Sequence, residues 1–122
     1  AVVRSYVPDA VFNRVSVGTS KGSVTHMRAP SDHVARMADP ARPRWVIFPR
    51  YVAGSPPVLT PRSRADSLLE LGRNAFNYTV LGRPGFEALA NLVTGSDCYD
   101  FQYSQLDDAV ATFDGLLHRA QP

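Results

Sequence analysis

The sequence predicts an α/β (or α+β) fold, a layered mixed sheet with flanking helices, and three stretches carry that prediction. Trp45-Val46-Ile47-Phe48 is a continuous apolar run, β-branched and aromatic, and too short for a free-standing helix. Apolar residues then recur at helical spacing from Ala65 to about Tyr78, and again from Phe86 to Val93. Finally, Tyr99, Phe101 and Tyr103 alternate with more polar residues just before another helical pattern. Strands separated by helices fold as layers around a shared core.

Composition bounds the class. The chain has 122 residues, enough for one domain with a real core, or for part of one. A hydrophobic share of 44% with 20% charged residues argues against disorder. The single cysteine, Cys98, has no internal disulfide partner, and no Cys/His cluster offers a zinc site. No apolar run approaches the roughly 18 residues of a membrane helix, and no signal-peptide pattern opens the chain, so a cytoplasmic protein without a membrane partner is expected.

Taken in order, Val2, Val3, Tyr6 and Val7 are spaced as one apolar helix face cut off by Pro8. That mid-pattern opening, without an initiator Met, reads as a piece of a longer protein. Val11 to Val17 lead to a turn at Gly18 to Gly22, Ser23 to Arg28 reads as a strand, and Ser31 to Met37 as one or two helical turns. The apolar run at Trp45 reads as a strand buried on both faces and stopped by Pro49, followed by a long loop. Ser63-Arg64-Ala65-Asp66 has capping-box spacing, with Asp for Glu, and opens a helix with Ala65, Leu68, Leu69, Gly72, Ala75 and Phe76 on its apolar face. A second helix starts at Pro84, with Phe86, Leu89, Ala90 and Val93 inward and Gly95 as its stop. Cys98 to Tyr103 reads as a strand. Ser104-Gln105-Leu106-Asp107 then starts a helix through Leu106, Ala109, Val110, Phe113 and Leu117.

Charge is distributed unevenly. Residues 1–73 hold 11 Lys/Arg against 5 Asp/Glu, whereas residues 74–122 hold 2 against 6. Five arginines (42, 44, 50, 62 and 64) fall between Arg42 and Arg64, where there is no Asp or Glu. Ligands of α/β proteins collect beyond the carboxyl ends of strands, so a cationic loop there points to an anion such as a phosphate. A solvated basic loop is the plainer alternative. The arginines lie among prolines rather than on one helical face, so a nucleic-acid partner is not expected.

Other candidates are weaker. Gly18-Thr19-Ser20-Lys21-Gly22-Ser23 lacks the order and spacing of a phosphate loop and reads as a turn, though Lys21 remains a point charge available to phosphate. His26 has no Ser or Asp pattern behind it, and His118 suits a helix C-terminus. Asp97, Asp100, Asp107 and Asp108 lack calcium-loop spacing. Asn77-Tyr78 closes the helix that follows the arginine loop, either as a cap or as hydrogen-bonding groups near a site.

Five strings in order give a resemblance: Val3-Arg4-Ser5-Tyr6-Val7-Pro8-Asp9-Ala10, Thr19-Ser20-Lys21-Gly22-Ser23-Val24-Thr25-His26, Trp45-Val46-Ile47-Phe48-Pro49-Arg50-Tyr51, Asn74-Ala75-Phe76-Asn77-Tyr78 and Cys98-Tyr99-Asp100-Phe101. Together they resemble the C-terminal kinase domain of the HPr kinase/phosphorylase family, most closely the exosortase-associated HprK-related kinase A group. The resemblance implies a phosphoenolpyruvate-carboxykinase-like fold and an ATP-dependent serine kinase working with Mg²⁺ at a phosphate-cradling loop. The family's Pro-Val-Arg-Pro-Gly-Arg-Asn loop precedes a helix ending in Asn-Tyr. Counting back from Asn77-Tyr78 sets its first arginine at Arg62 and its second one position after Arg64. Arg62 and Arg64 are thereby implied as catalytic, and Asn77 and Tyr78 as structural residues near the site; Arg50, from the cationic loop, and Lys21, as a point charge, stand beside them as phosphate-binding candidates on charge alone. The family's glycine-rich phosphate loop and acidic Mg²⁺ site have no counterpart here. Residues 1–122 are therefore expected to be the C-terminal portion of a single kinase domain, with the ligands of ATP and Mg²⁺ elsewhere and no turnover alone. The phosphoacceptor, protein or small molecule, is not legible. A non-catalytic module that docks an acidic partner, or the acidic half of another copy in a homo-oligomer, is the alternative. A stand-alone phosphate or nucleotide binder is the third reading.

Overall fold

The computed structural model describes residues 2–119, which form two compact units, residues 2–41 and residues 42–119. The first contains α1 (Val2–Tyr6), β1 (Ser16–Thr19), β2 (Gly22–Val24) and α2 (Ser31–Ala35). β1 and β2 pair antiparallel around the expected turn. Gly18 and Gly22 take φ of 73° and 84°, which only glycine adopts without strain, and the Thr19 hydroxyl donates to the Gly22 carbonyl at 2.6 Å. The strand expected over Ser23 to Arg28 stops at Val24. Beyond Val24 this segment pairs at an isolated Phe12–Met27 bridge. In this unit Ala10, Phe12 and Val24 are half-buried, and every other described side chain is exposed.

The second unit contains β3 (Trp45–Tyr51), β4 (Val58–Pro61), α3 (Arg64–Asn74), α4 (Tyr78–Leu81), α5 (Arg83–Thr94), β5 (Asp97–Tyr103) and α6 (Leu106–Arg119). It is a mixed α/β arrangement, as predicted. The sheet order is β3-β5-β4, with β5 parallel to β3 and antiparallel to β4. A parallel pair needs a long crossover, and α3 to α5 lie within it. Strand alternation gives the sheet two distinct faces. Odd positions of β5 (Tyr99, Phe101, Tyr103) share a face with Trp45 and Ile47, and α6 covers part of it: the Phe101 and Phe113 rings lie 5.1 Å apart. Phe101 is 1% exposed, and with Val93, Cys98, Ala109 and Leu116 it forms the buried apolar core.

Several local expectations are corrected. Pro49 does not stop the first apolar strand, which runs on to Tyr51 so that Arg50 lies within it. That strand is an edge strand with a half-buried start, not one buried on both faces. The stretch read as loop contains β4, where Val58-Leu59-Thr60-Pro61 pairs with β5. α3 ends at Asn74 because Ala75 turns extended (φ −85°, ψ 111°), leaving Phe76 fully exposed rather than inward. Asn77-Tyr78 consequently opens α4 instead of closing α3, and the Tyr78 ring packs where Gly72 leaves room for it. On α6, Leu116 is buried while Val110 and Leu117 are exposed. The Ser104 hydroxyl, just before that helix, donates to the Ser55 carbonyl at 2.8 Å.

Candidate functional site

The even positions of the sheet build the site. Arg50 lies beside Gln102, and Phe48 beside Asp100; Val58 and Thr60 face Gln102 and Asp100 from the other side of β5. All six residues line one cavity of about 610 Å³, joined by Arg62 and by Glu70 of α3. β4 ends at Pro61, so Arg62 sits in the two-residue link between a strand and a helix. Its N–H still donates to the Cys98 carbonyl at 2.8 Å, which continues the ladder.

The helix that follows is fixed where it starts. The Ser63 hydroxyl accepts from the Asp66 N–H at 3.1 Å, which is the N-cap half of the predicted box, and donates to the Asp66 carboxylate at 2.6 Å, a bond between side chains in place of the return bond to the Ser63 N–H. Ser67 is fully buried and donates back to the Ser63 carbonyl at 2.8 Å. Strand register on one side and a helix cap on the other leave the Arg62 backbone little freedom.

Its side chain is held as firmly. Arg62 Nη1 donates to Asp100 Oδ1 at 2.6 Å, Nη2 reaches the Asp66 carbonyl at 3.4 Å, and the guanidinium carbon lies 4.6 Å from the Phe48 ring centroid. Such an ion pair on an aromatic face combines charge-assisted hydrogen bonding with cation–π attraction. The Arg62 side chain is 22% exposed against 52% for Asp100, and its Nε is buried without a partner. The hydrogen bond to Asp100 raises the Arg62 pKa, burial opposes that shift, and the Asp100, Glu70 and Asp66 charges add to it. Arg50 is held more loosely, through one bond from Nη2 to Gln102 Oε1 at 3.2 Å.

The candidate residues fall in different places. Arg62 and Arg50 share the cavity; Arg64, the first residue of α3, borders a recess of about 170 Å³ that Arg62 also lines. Tyr78 opens α4, Asn77 is its N-cap residue, and neither lines these spaces. Lys21 occupies the hairpin turn of the first unit, its N–H donating to the Thr19 hydroxyl at 3.2 Å. Sequence reasoning missed Asp100, Glu70 and Gln102. The period of two over Cys98 to Tyr103 was the available signal for Asp100, because it sets that carboxylate opposite the aromatic face.

No family model matches this sequence, and no curated protein or solved structure matches it significantly. Among the described residues, no helix is long and apolar enough to cross a membrane, and no group of three or more His, Cys, Asp and Glu side chains is placed to hold a metal.

Proposed function

We propose that this chain is the C-terminal part of a cytoplasmic, ATP-dependent, HPr-kinase-like serine kinase with a phosphoenolpyruvate-carboxykinase-like fold, and that it supplies Arg62 to the phosphoryl-transfer site. The observation that carries the proposal is the restraint on Arg62, whose guanidinium is fixed by Asp100, Phe48 and the Asp66 carbonyl beside a cavity that a second arginine, Arg50, also lines. Phosphoryl transfer is mainly positioning and charge stabilisation, and a cation set in place beforehand stabilises developing charge without reorganising. Asp100 positions Arg62, and Arg50 on its single amide contact is free to follow a moving oxygen.

The donor set fits phosphate, because guanidinium N–H groups match phosphate oxygens. It does not form a magnesium site. Asp100 is engaged by Arg62, and Glu70 accepts from the Asn74 amide at 3.1 Å. The Mg²⁺ ligands and the phosphate-cradling loop belong, on this reading, to polypeptide beyond these residues, as does most of the affinity for ATP. Mg²⁺, when bound, would neutralise charge on the phosphate oxygens.

Calorimetric titration of Mg·ATP into this chain and into the full-length parent tests the proposal. Binding by the parent alone is the expected result. Binding by neither would leave the interaction module as the reading, and binding by the isolated chain would favour a stand-alone nucleotide binder.

A further inference from the structure

β3 is paired along one side only, with β5. Two hydrogen bonds fix which of its backbone groups face that partner: the Arg44 carbonyl accepts from the Asp97 N–H at 2.9 Å, and the Val52 N–H donates to the Tyr103 carbonyl at 2.9 Å. Facing groups alternate along a strand. Residues 46, 48 and 50 therefore also turn their backbone toward β5, while Trp45, Ile47, Pro49 and Tyr51 turn theirs to the open side. Pro49 has no N–H to leave unpaired there, which is where a strand tolerates proline. The open donors are those of Trp45, Ile47 and Tyr51, and no strand among the described residues pairs with them. A second feature adjoins this edge. Trp45, Ile47 and Pro49 line an apolar groove of about 470 Å³, together with Phe101, Leu106 and Phe113. Unpaired backbone donors beside an apolar groove are the two requirements for adding a strand.

We propose that this edge takes up an extended segment of a partner polypeptide as an added strand, with apolar residues at alternate positions and acidic residues at its ends. The kinase reading is not required for this. Charge selects the partner. Arg42 and Arg44 precede the apolar run, Arg50 follows it, and residues 40–65 contain no Asp or Glu. A second copy of this chain is disfavoured by the same arginines. Antiparallel pairing of β3 with itself about Ile47 sets Arg44 opposite Arg50, and pairing about Val46 sets Arg42 opposite Arg50; like charges directly opposite are destabilising. Pairing about Phe48 avoids both clashes but sets each copy's Pro49 against the other's Ile47, so two ladder hydrogen bonds are lost where a partner strand without proline loses one.

The test is amide hydrogen exchange on the ¹⁵N-labelled chain, with and without the synthetic peptide Asp-Glu-Val-Thr-Val-Thr-Val-Glu-Asp. The Ile47 amide is expected to exchange at least about tenfold more slowly with the peptide, while Phe48, already bonded to β5, stays unchanged. A peptide with lysines for its acidic residues should bind at least about tenfold more weakly, and one with proline for the central valine should give no protection. Four results would overturn the proposal: an Ile47 amide already protected in the free chain, protection that rises with chain concentration alone, equal binding of the lysine peptide, or equal protection by the proline peptide.

Discussion

Residues 2–41 and residues 42–119 contain the same kinds of backbone hydrogen bond but differ in what surrounds them. The hairpin of the first unit is tied by ladder and turn bonds, yet Val15 and Val17 stay exposed and no described side chain there is fully buried. The second unit covers part of one sheet face with α6 and buries Phe101, Cys98, Val93, Ala109 and Leu116. A hydrogen bond that replaces one to water contributes only about 0.5–1.5 kcal/mol net, whereas a fully buried apolar side chain contributes about 1.5–3 kcal/mol. The first unit has a shape; the second also has the burial that holds a shape. The contrast extends to the candidate phosphate ligands, because Lys21 rides on the hairpin turn whereas Arg62 is anchored through packed elements on both sides. A site needs its side chains supported by a rigid frame, and of Lys21 and Arg62 it is Arg62 that has one.

The contrast can be attacked in order of effect. Phe101→Ala should cost the second unit about 3–5 kcal/mol, read as a lowered urea midpoint of tryptophan fluorescence, since Trp45 reports on that sheet. If the hairpin amides of residues 16–24 lost protection in the same variant, the two units would not be independent. Ser63→Ala removes the cap of α3 and should cost about 1 kcal/mol, with Ser63→Asp restoring most of it. Phe12→Ala, at a half-buried ring of the first unit, should cost less than about 1 kcal/mol of hairpin stability, read from amide exchange. The smallest expected effect is that of pH on Arg62. Its raised pKa means that its charge contributes fully at every pH below the ordinary arginine range and is lost only as pH rises through the raised value. An Arg62-dependent signal should therefore stay flat across neutral pH.

How much of this was legible in the sequence depended on how local each signal was. The cap at Ser63, the α5 start and stop, the turn between Gly18 and Gly22, and the aromatic alternation of β5 are short-range patterns, and the structure bears them out. β4 was not legible, because Val58-Leu59-Thr60 between prolines looks like loop until β5 is beside it to supply the ladder. Pro49 misled for the same reason: a proline ends a central strand but is harmless where its nitrogen faces an open edge. The pairing of Arg62 with Asp100 spans 38 residues of sequence and follows from strand order, which no window of residues displays. Phe76 fits a helical apolar face by spacing, but Ala75 ends the helix before that face continues.

The most direct measurement compares the full-length protein with its Arg62→Ala variant, following ADP release from Mg·ATP and, by calorimetry, Mg·ATP affinity. Turnover should fall by at least about 100-fold with affinity changed only a few-fold, the pattern of a group acting on the transferred phosphoryl rather than on ground-state binding. Unchanged turnover in the variant would contradict that role for Arg62.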